Sequence, residues 1–252
     1  MNGLSLKGVI LCGGKGTRLR PLTYYFQKVM IPVGSKQKPL LEYIVRLLRY
    51  YNITDLVLLV NYKAEQITNY FDDGTRFGVK ISYIYDNPRY KGNAGALYNA
   101  FLKNQISDKD SLLVYYGDIL SNLNLEKFIK THIRNEAAVT LALSTSYEVS
   151  VGVVEVDNTN RVTSIKEKPP LGKPVFIGIL VLEGRYLPLI GDLYAKDKES
   201  VDIMGDLIPL LVERGERVIG FLTDAFWYDV GSTEKYEKLE HGKIDKELNF
   251  LL

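Results

Sequence analysis

The sequence predicts an α/β fold, in which a mixed, mostly parallel sheet is flanked by helices and carries an antiparallel extension. Through the first half of the chain, short apolar runs that suit buried strands alternate with segments of helical periodicity. In the second half, apolar runs follow one another with only turn-like links, which is typical of antiparallel strands. The 252 residues, 46% of them hydrophobic, are enough to bury the core of such a fold.

Strands and helices alternate in the first half. Each predicted strand is almost entirely apolar, as expected for a strand covered on both faces of a parallel sheet. Each predicted helix has apolar residues at helical spacing. The strands are Gly8–Leu11, Asp55–Val60, Val79–Tyr85 and Ser111–Tyr116, and the helices are Leu40–Tyr51, Ala64–Phe71 and Ala94–Lys103.

A fourth helix, Leu125–Asn135, precedes the change of pattern. The run Asp-Asn-Thr-Asn at 157–160 predicts a hairpin turn between two later strands. No linker, repeat or low-complexity segment interrupts the chain, so we expect a single domain over residues 1–252. The remaining predicted elements are strands at Ala138–Leu143, Val151–Val156, Val162–Lys166, Val175–Leu182 and Val218–Leu222, the segment Phe226–Val230, and helices near Ile203–Glu213 and from Thr233.

Composition argues against several classes of partner. A formal net charge of +2 gives no field that would attract nucleic acid or an anionic membrane, and we expect neither as a partner. Cys12 is the only cysteine, which excludes a disulfide framework and a cysteine-built zinc site. We therefore expect a cytoplasmic protein.

A glycine-rich stretch, LCGGKGTRLRPLT, follows the first predicted strand at residues 11–23. Its glycines allow backbone N–H groups to approach phosphate oxygens, and Arg18 adds a cationic fork. It lacks the Lys-Ser/Thr pair of a Walker A motif and the third glycine of a dinucleotide fingerprint. Because ligands of open α/β sheets bind at the carboxyl ends of parallel strands, we expect the loop to share a site with 61–63, 86–95 and 117–118.

The stretch resembles the signature of the sugar-1-phosphate nucleotidyltransferases, roughly G-G-x-G-T-R-L-x-P-L-T, and the resemblance continues in the family's order over nearly the whole chain. It implies a Rossmann-like sheet of the nucleotide-diphospho-sugar transferase type. It also implies that a sugar 1-phosphate attacks the α-phosphate of a nucleoside triphosphate and that pyrophosphate leaves. The further matching blocks are Lys28-Val29-Met30-Ile31-Pro32-Val33, Lys38-Pro39-Leu40-Leu41-Glu42, Gly92-Asn93-Ala94-Gly95-Ala96-Leu97, Gly117-Asp118, Glu167-Lys168-Pro169 and Trp227-Tyr228-Asp229-Val230-Gly231-Ser232.

The resemblance assigns four catalytic residues. Asp118 and Asp229 match the family's paired aspartates, which hold Mg²⁺ between the two substrates. Lys28 matches a lysine at the reacting phosphates, although the usual Pro-Lys-Pro is here Gln27-Lys28-Val29. Arg18 is assigned to the leaving pyrophosphate. Because the attacking phosphate is already ionised, no general base is expected, and catalysis depends on positioning and charge neutralisation.

Two further sets of residues are expected to bind the substrates. Small residues near the first loop and at 92–95 admit a flat base and phosphates against the backbone, and Asn93 is also expected to cap the following helix. The nucleotide-binding set is Leu11, Gly13, Gly14, Gly16, Thr17, Gly92, Asn93 and Gly95, and the resemblance assigns the sugar phosphate to Gly152, Glu167 and Lys168.

The blocks at 92–97 and 151–155 are closest to those of mannose-1-phosphate guanylyltransferases, so we expect GTP and mannose 1-phosphate as substrates. One departure concerns the sugar, because Phe176-Ile177-Gly178 replaces a common Asn-Ala-Gly and removes an amide. Glucose-1-phosphate thymidylyl or uridylyl transfer is an alternative. A catalytically silent regulatory subunit that binds nucleotide sugar and a glycosyltransferase are others, although Asp118 forms no Asp-x-Asp metal motif.

The remaining expectations concern the end of the chain and the histidines. Leu248–Leu252 is apolar enough to cover a groove or a neighbouring subunit, which suggests a homodimer. Too few residues follow the last predicted helix for the C-terminal β-helix that many family members carry. His132 and His241 are expected at the surface, without a catalytic role.

Overall fold

The computed structural model describes residues 5–196 and 198–252. Its strands include long apolar segments, such as Asp-Leu-Val-Leu-Leu-Val at 55–60, whose branched side chains favour extended backbone. The strands are β1 (Leu6–Cys12), β2 (Pro32–Val33), β3 (Lys38–Pro39), β4 (Asp55–Val60), β5 (Lys80–Tyr85), β6 (Ser111–Tyr116), β7 (Ile119–Ser121), β8 (Val139–Ser144), β9 (Val153–Val156), β10 (Val162–Lys166), β11 (Val175–Glu183), β12 (Val218–Thr223) and β13 (Trp227–Asp229).

Seven strands form the central sheet, in the order β12-β8-β11-β6-β1-β4-β5. All neighbouring pairs are parallel except the two pairs that β11 makes with β6 and β8. The register places Ile10 of β1 beside Leu58 and Tyr115. Three separate antiparallel pairs, β2–β3, β7–β13 and β9–β10, complete the strands. The mixed, mostly parallel sheet predicted from the sequence is confirmed.

Helices cover both faces of the sheet. Buried residues of α1, α2, α4 and α8 form one core with the first face, and those of α3, α5 and α6 form a second core on the other. The helices are α1 (Leu40–Tyr50), α2 (Ala64–Phe71), α3 (Asn93–Leu102), α4 (Leu125–Arg134), α5 (Pro188–Tyr194), α6 (Ile208–Glu213), α7 (Thr233–Glu237) and α8 (His241–Leu248). Across residues 5–196 and 198–252, every helix is too short or too polar to span a bilayer.

The structure differs from the sequence-based elements at several short segments. The short elements β2, β3, β7 and α5 were not predicted, because none is long enough to show a periodic pattern. The helix predicted from Thr233 is two helices, α7 and α8. The apolar end of the chain covers its own core, since Leu248 and Leu251 are buried and Arg46 Nη1 donates to the Leu251 carbonyl at 3.3 Å.

The prediction that His132 lies at the surface is wrong. Its side chain is buried on the apolar face of α4, one turn after Phe128. Its Nδ1 atom lies 2.9 Å from Thr140 Oγ1, and its Nε2 atom lies 3.0 Å from Glu183 Oε1. His132 therefore joins α4 to the sheet at the end opposite the carboxyl ends of the parallel strands.

Glu42 is a buried charge that links β3, α1 and α2. Its carboxylate is 1% exposed and accepts hydrogen bonds from Lys38 at 2.9 Å, Arg46 at 2.7 Å and Tyr70 at 2.5 Å. Burial by itself would raise the pKa of Glu42, but the hydrogen bonds from Tyr70, Lys38 and Arg46 outweigh it, and the pKa lies below its ordinary value. The ionised form is thus stabilised by folding.

Glu42→Gln is expected to lower the free energy of unfolding by roughly 2–3 kcal/mol, because it leaves two cations without their buried partner. Urea denaturation near neutral pH measures this. Because the folded pKa is depressed, the contribution is complete above the ordinary pKa of 4.5 and is lost as pH falls through the folded value, so the two proteins should converge in acid. Glu126→Gln, at an exposed helix pair with Lys130, is the control and should change stability little. Equal losses in both variants would contradict the role of Glu42.

Candidate active site

Two cavities meet at the carboxyl end of β6. The first, of about 350 Å³, lies over the carboxyl ends of β1, β4, β5 and β6. The second, of about 380 Å³, lies between the end of β6, the start of β11 and β13. Tyr116 and Asp118 line both cavities. This is the sheet edge at which open α/β folds bind ligands.

The glycine-rich loop forms one wall of the first cavity. A Cβ atom at Gly13 would lie 2.6 Å from Asp86 Oδ2, so a larger residue here would displace the Asp86 carboxylate. A Cβ atom at Gly14 would meet no atom within 4 Å, because this residue borders open space. The backbone of the loop is thus accessible from the cavity.

The predicted residues of this loop divide between the two cavities. Leu11, Gly13 and Gly14 line the first cavity, and Arg18 lines the second. Gly16 and Thr17 line neither. Gly16 has φ +59 and starts a short helical turn, which Thr23 Oγ1 holds by donating to the Gly16 carbonyl at 2.8 Å. The role of Gly16 in the structure is therefore conformational.

Gln27 anchors the segment that carries Lys28. Its buried side chain donates from Nε2 to the Cys12 carbonyl at 2.5 Å and accepts from the Val29 N–H at 2.6 Å. This amide stands where the family's first proline was expected and ties the segment to the end of β1. The Lys28 ammonium group is thereby directed at Asp118, with which it forms an ion pair.

The ribbon β7–β13 brings the two predicted metal ligands together. Ile119 pairs with Asp229, and the Val230 N–H donates to the Asp118 carbonyl at 2.9 Å. Both aspartates therefore lie at the same end of the ribbon and line the second cavity. Lys235, from α7, reaches the same place, with its Nζ atom 2.5 Å from Asp229 Oδ2. Each aspartate is thus paired with one lysine.

These two carboxylates fit a magnesium site that is completed by ligand oxygens. Within residues 5–196 and 198–252, no group of three or more His, Cys, Asp or Glu side chains is placed to hold a metal. Magnesium usually takes one or two carboxylates and fills its other positions with water and phosphate oxygens. Asp118 and Asp229 provide that number of ligands, and both line the second cavity.

The segment before α3 forms another wall of the first cavity. Gly92 and Asn93 line this cavity, whereas Gly95 lies behind it, against the Tyr90 carbonyl. Gly92 has φ +90, and a Cβ atom there would lie 2.3 Å from the Val201 carbonyl oxygen. The prediction that Asn93 caps α3 is wrong, because Gly92 occupies the N-cap position and the Asn93 side chain is used elsewhere.

Two titratable groups of the first cavity, Asp86 and Cys12, were not assigned a catalytic or binding role from the sequence. Burial raises the pKa of Asp86, and a hydrogen bond with Asn61 partly opposes this. Burial, with the nearby charges of Asp118 and Asp86, raises the pKa of the Cys12 thiol far above its ordinary value. Cys12 is thus a buried apolar residue rather than a reactive thiol.

The three residues predicted to bind the sugar phosphate lie outside both cavities. Gly152, Glu167 and Lys168 are exposed residues on or beside the hairpin β9–β10. The base of this hairpin does reach the second cavity, because Tyr147 lines it and accepts a backbone hydrogen bond from Leu171. The structure thus brings the hairpin to the cavity but does not place Lys168 in it.

Sequence reasoning missed three residues that line the cavities. Asp86 and Tyr116 lie at the carboxyl ends of β5 and β6, so the topological rule that selected the loops also identifies them as candidates. Lys235 gave no such signal, because a lysine on a short polar helix is usually a solvated surface residue.

The chain belongs to the nucleotidyl transferase family, whose model matches residues 7–245. It is 33% identical to a UTP–glucose-1-phosphate uridylyltransferase of Synechocystis sp. over 96% of this chain and 64% of the relative. It is 30% identical to a mannose-1-phosphate guanylyltransferase of Mycobacterium tuberculosis over 90% of this chain and 62% of the relative. The chain thus spans less than two thirds of the length of these relatives. The predicted resemblance to sugar-1-phosphate nucleotidyltransferases is confirmed.

Solved structures agree with this assignment. The crystal structure of HddC from Yersinia pseudotuberculosis complexed with GMP-PN has a TM-score of 0.68 and 25% identity, covering 92% of this chain and 97% of that one. The crystal structure of a protein from Bacillus anthracis matches with a TM-score of 0.75 and 22% identity, covering 95% of this chain and 96% of the other. This match shows the shared fold.

Proposed function

We propose that this chain transfers a nucleotidyl group from a nucleoside triphosphate to a sugar 1-phosphate, giving a nucleotide sugar and pyrophosphate. The observation that carries the proposal is the position of Asp118, which lines both cavities and has Asp229 beside it across a two-stranded ribbon. The triphosphate occupies the first cavity and the sugar phosphate the second. Their phosphates then meet at the two carboxylates.

Positioning and charge neutralisation account for the chemistry. The backbone of Gly13 and Gly14 borders the first cavity and faces the phosphates, and Lys28 stands beside the α-phosphate. Arg18 lines the second cavity, and we assign it to charge that develops on the leaving pyrophosphate where the two cavities adjoin. Mg²⁺ held by Asp118 and Asp229 would reduce the repulsion between the two phosphate groups. The attacking oxygen is already ionised, so the residues need only hold the two anions in line.

Asp86 favours guanine as the base. Its carboxylate lies in the first cavity against Gly13, between the loop and the segment at 92–96. An ionised carboxylate only accepts hydrogen bonds, and guanine presents two adjacent donors, the N1–H and the 2-amino group. Uracil and thymine present one N–H between two carbonyl oxygens, which a carboxylate repels. GTP is therefore the proposed donor.

Aromatic side chains dominate the wall for the sugar. Phe176, Tyr147 and Trp227 line the second cavity, and the Tyr147 and Trp227 rings are stacked at 6.4 Å. Such rings pack against the C–H face of a sugar. This contact would replace the one made by the asparagine amide that is common in the family where this chain has Phe176. Mannose 1-phosphate is the sugar that we propose, on the sequence blocks described above. Homodimerisation and a cytoplasmic location stay predictions.

Uridylyl transfer to glucose 1-phosphate is the second candidate, supported by the name of the relative at 33% identity. Pyrophosphate release, measured for ATP, GTP, CTP, UTP and dTTP against a panel of sugar 1-phosphates, separates the candidates. The highest kcat/KM is expected for GTP with mannose 1-phosphate. Asp86→Asn should reduce the preference for GTP over UTP. If no pair of nucleotide and sugar 1-phosphate releases pyrophosphate, the proposed transferase activity is refuted. If Asp86→Asn leaves the preference for GTP over UTP unchanged, the proposed role of Asp86 is refuted.

Asp118→Asn and Asp229→Asn are each expected to lower kcat about 100-fold or more while the melting temperature stays close to that of the wild type. Each removes one carboxylate charge from the wall of the second cavity and keeps the size of the side chain. Steady-state pyrophosphate release and thermal melting measure the two effects. Asp108→Asn, an exposed acid before the start of β6, is the matched control. Full activity in either variant would remove that residue from the site.

Lys168 remains our candidate for holding the sugar phosphate, by its match to the family motif. Lys168→Ala is expected to raise the KM for the sugar 1-phosphate about tenfold, with the KM for the nucleotide unchanged, because one charge-assisted hydrogen bond is lost. Lys173→Ala, at another exposed lysine after the same hairpin, is the control. If the two variants behave alike, Lys168 does not contact the substrate, and Lys235 becomes the cation to test.

A further inference from the structure

A hydrogen-bonded chain connects Asp202, which lines neither cavity, to Tyr116, which lines both. The Asn93 Nδ2 atom donates to Asp202 Oδ2 at 2.6 Å and to the Tyr116 hydroxyl oxygen at 3.2 Å. The Asn93 Oδ1 atom accepts from the Ile203 N–H at 2.7 Å. Both N–H groups of the amide and its oxygen are therefore engaged by the protein.

The orientation of the Asn93 amide is fixed by its partners. If the amide were turned over, its oxygen would face the Asp202 carboxylate and its NH₂ group would face the Ile203 N–H, two repulsive contacts. Asp202 is itself held in place, because its Oδ1 atom accepts from the Met204 and Gly205 N–H groups at 2.8 Å. The Tyr116 oxygen must therefore act as the acceptor towards Asn93.

This arrangement leaves the proton of the Tyr116 hydroxyl available. In the part of the chain that the structure describes, the hydroxyl donates to no protein acceptor. A tyrosine phenol carries its proton at neutral pH and can donate it. A phenol that accepts one hydrogen bond from the protein is a fixed donor to a ligand on its other side.

The hydroxyl belongs to the first cavity and the ring to the second. Asn93, which contacts the hydroxyl, lines only the first cavity. Phe176, which lines only the second, packs edge-to-face on the Tyr116 ring with 5.7 Å between centroids. Phe176 is also a position at which the chain departs from the family pattern described above. Asn93 and Phe176 thus contact the same side chain from the two cavities.

We infer that Asp202 is a positioning residue which acts through Asn93 to aim the Tyr116 O–H at an acceptor oxygen of the nucleotide in the first cavity. The inference rests on the proposed function only in taking that ligand to be a nucleotide. It adds to the site one ligand-contacting donor, Tyr116, and one residue outside the cavities that sets the direction of the donated proton.

Calorimetric titration with GTP and, in parallel, with UTP, both without sugar phosphate, tests the donor. Tyr116→Phe removes only the hydroxyl and is expected to raise the Kd of the tighter-binding nucleotide about tenfold. Tyr115→Phe is the matched control. The neighbouring Tyr115 is buried in the core that contains α1, α2, α4 and α8, and its hydroxyl has no partner among residues 5–196 and 198–252. The control should bind as the wild type does.

Asp202→Asn tests the positioning role. Neutralising an acid near a bound polyanion would by itself tighten binding, whereas loss of the fixed Asn93 amide weakens it. We expect weaker binding, and no further weakening when the change is made in the Tyr116→Phe variant, because the aimed proton is then already absent. Loss of a merely structural contact would weaken both backgrounds equally.

Three results would overturn the inference: wild-type affinity in Tyr116→Phe, tighter binding in Asp202→Asn, or equal losses from Asp202→Asn in both backgrounds. The titrations do not depend on turnover. Suppose that the wild type binds a nucleotide but does not release pyrophosphate with any of the sugar phosphates tested. The proposed function then fails, while the titrations still decide this inference. If it binds neither nucleotide, both fail.

Discussion

The antiparallel ribbon β7–β13 is the interaction on which the candidate site depends. The two acidic residues that the site needs come from distant parts of the chain, and each alone would be an ordinary turn residue. Pairing of Ile119 with Asp229, and the hydrogen bond from Val230 to the Asp118 carbonyl, place the two aspartates side by side. Buried Ile119 and Leu120 hold this small ribbon against the core. The site is thus only as precise as the packing under the ribbon.

The one antiparallel strand of the main sheet shapes the second cavity. β11 lies between two strands that run the other way, and its register shifts between Phe176 and Leu180. Gly178, with φ +81, lies within this irregularity. Such a bulge re-aims the side chains before it, and here Phe176 contacts Tyr116 from the cavity side. A local break in pairing therefore decides which group faces the second cavity.

Acidic groups are unexpectedly frequent around a site that we propose for two anionic substrates. Asp118 and Asp229 are each paired with a lysine, Asp86 is hydrogen-bonded with Asn61, and Asp202 is held by backbone N–H groups. Each acid therefore has a physical compensation within the fold, either a cation or hydrogen bonds. The negative charges hold nearby cations and hydrogen-bond donors in place around the two cavities.

The sequence by itself determined the α/β class, most of the elements and the family, because buried parallel strands need apolar runs and a phosphate loop needs glycines at fixed spacing. It also identified Arg18, Lys28, Asp118 and Asp229 as site candidates, and the fold brings them to the two adjoining cavities. Only the tertiary structure decided the pairing of Asp118 with Asp229, the burial of His132, the packing role of Gly95 and the position of Lys168 outside the cavities. It also revealed Asp86, Tyr116, Asp202 and Lys235. These features depend on contacts between residues far apart in the chain, which local patterns of hydrophobicity and turn residues do not encode.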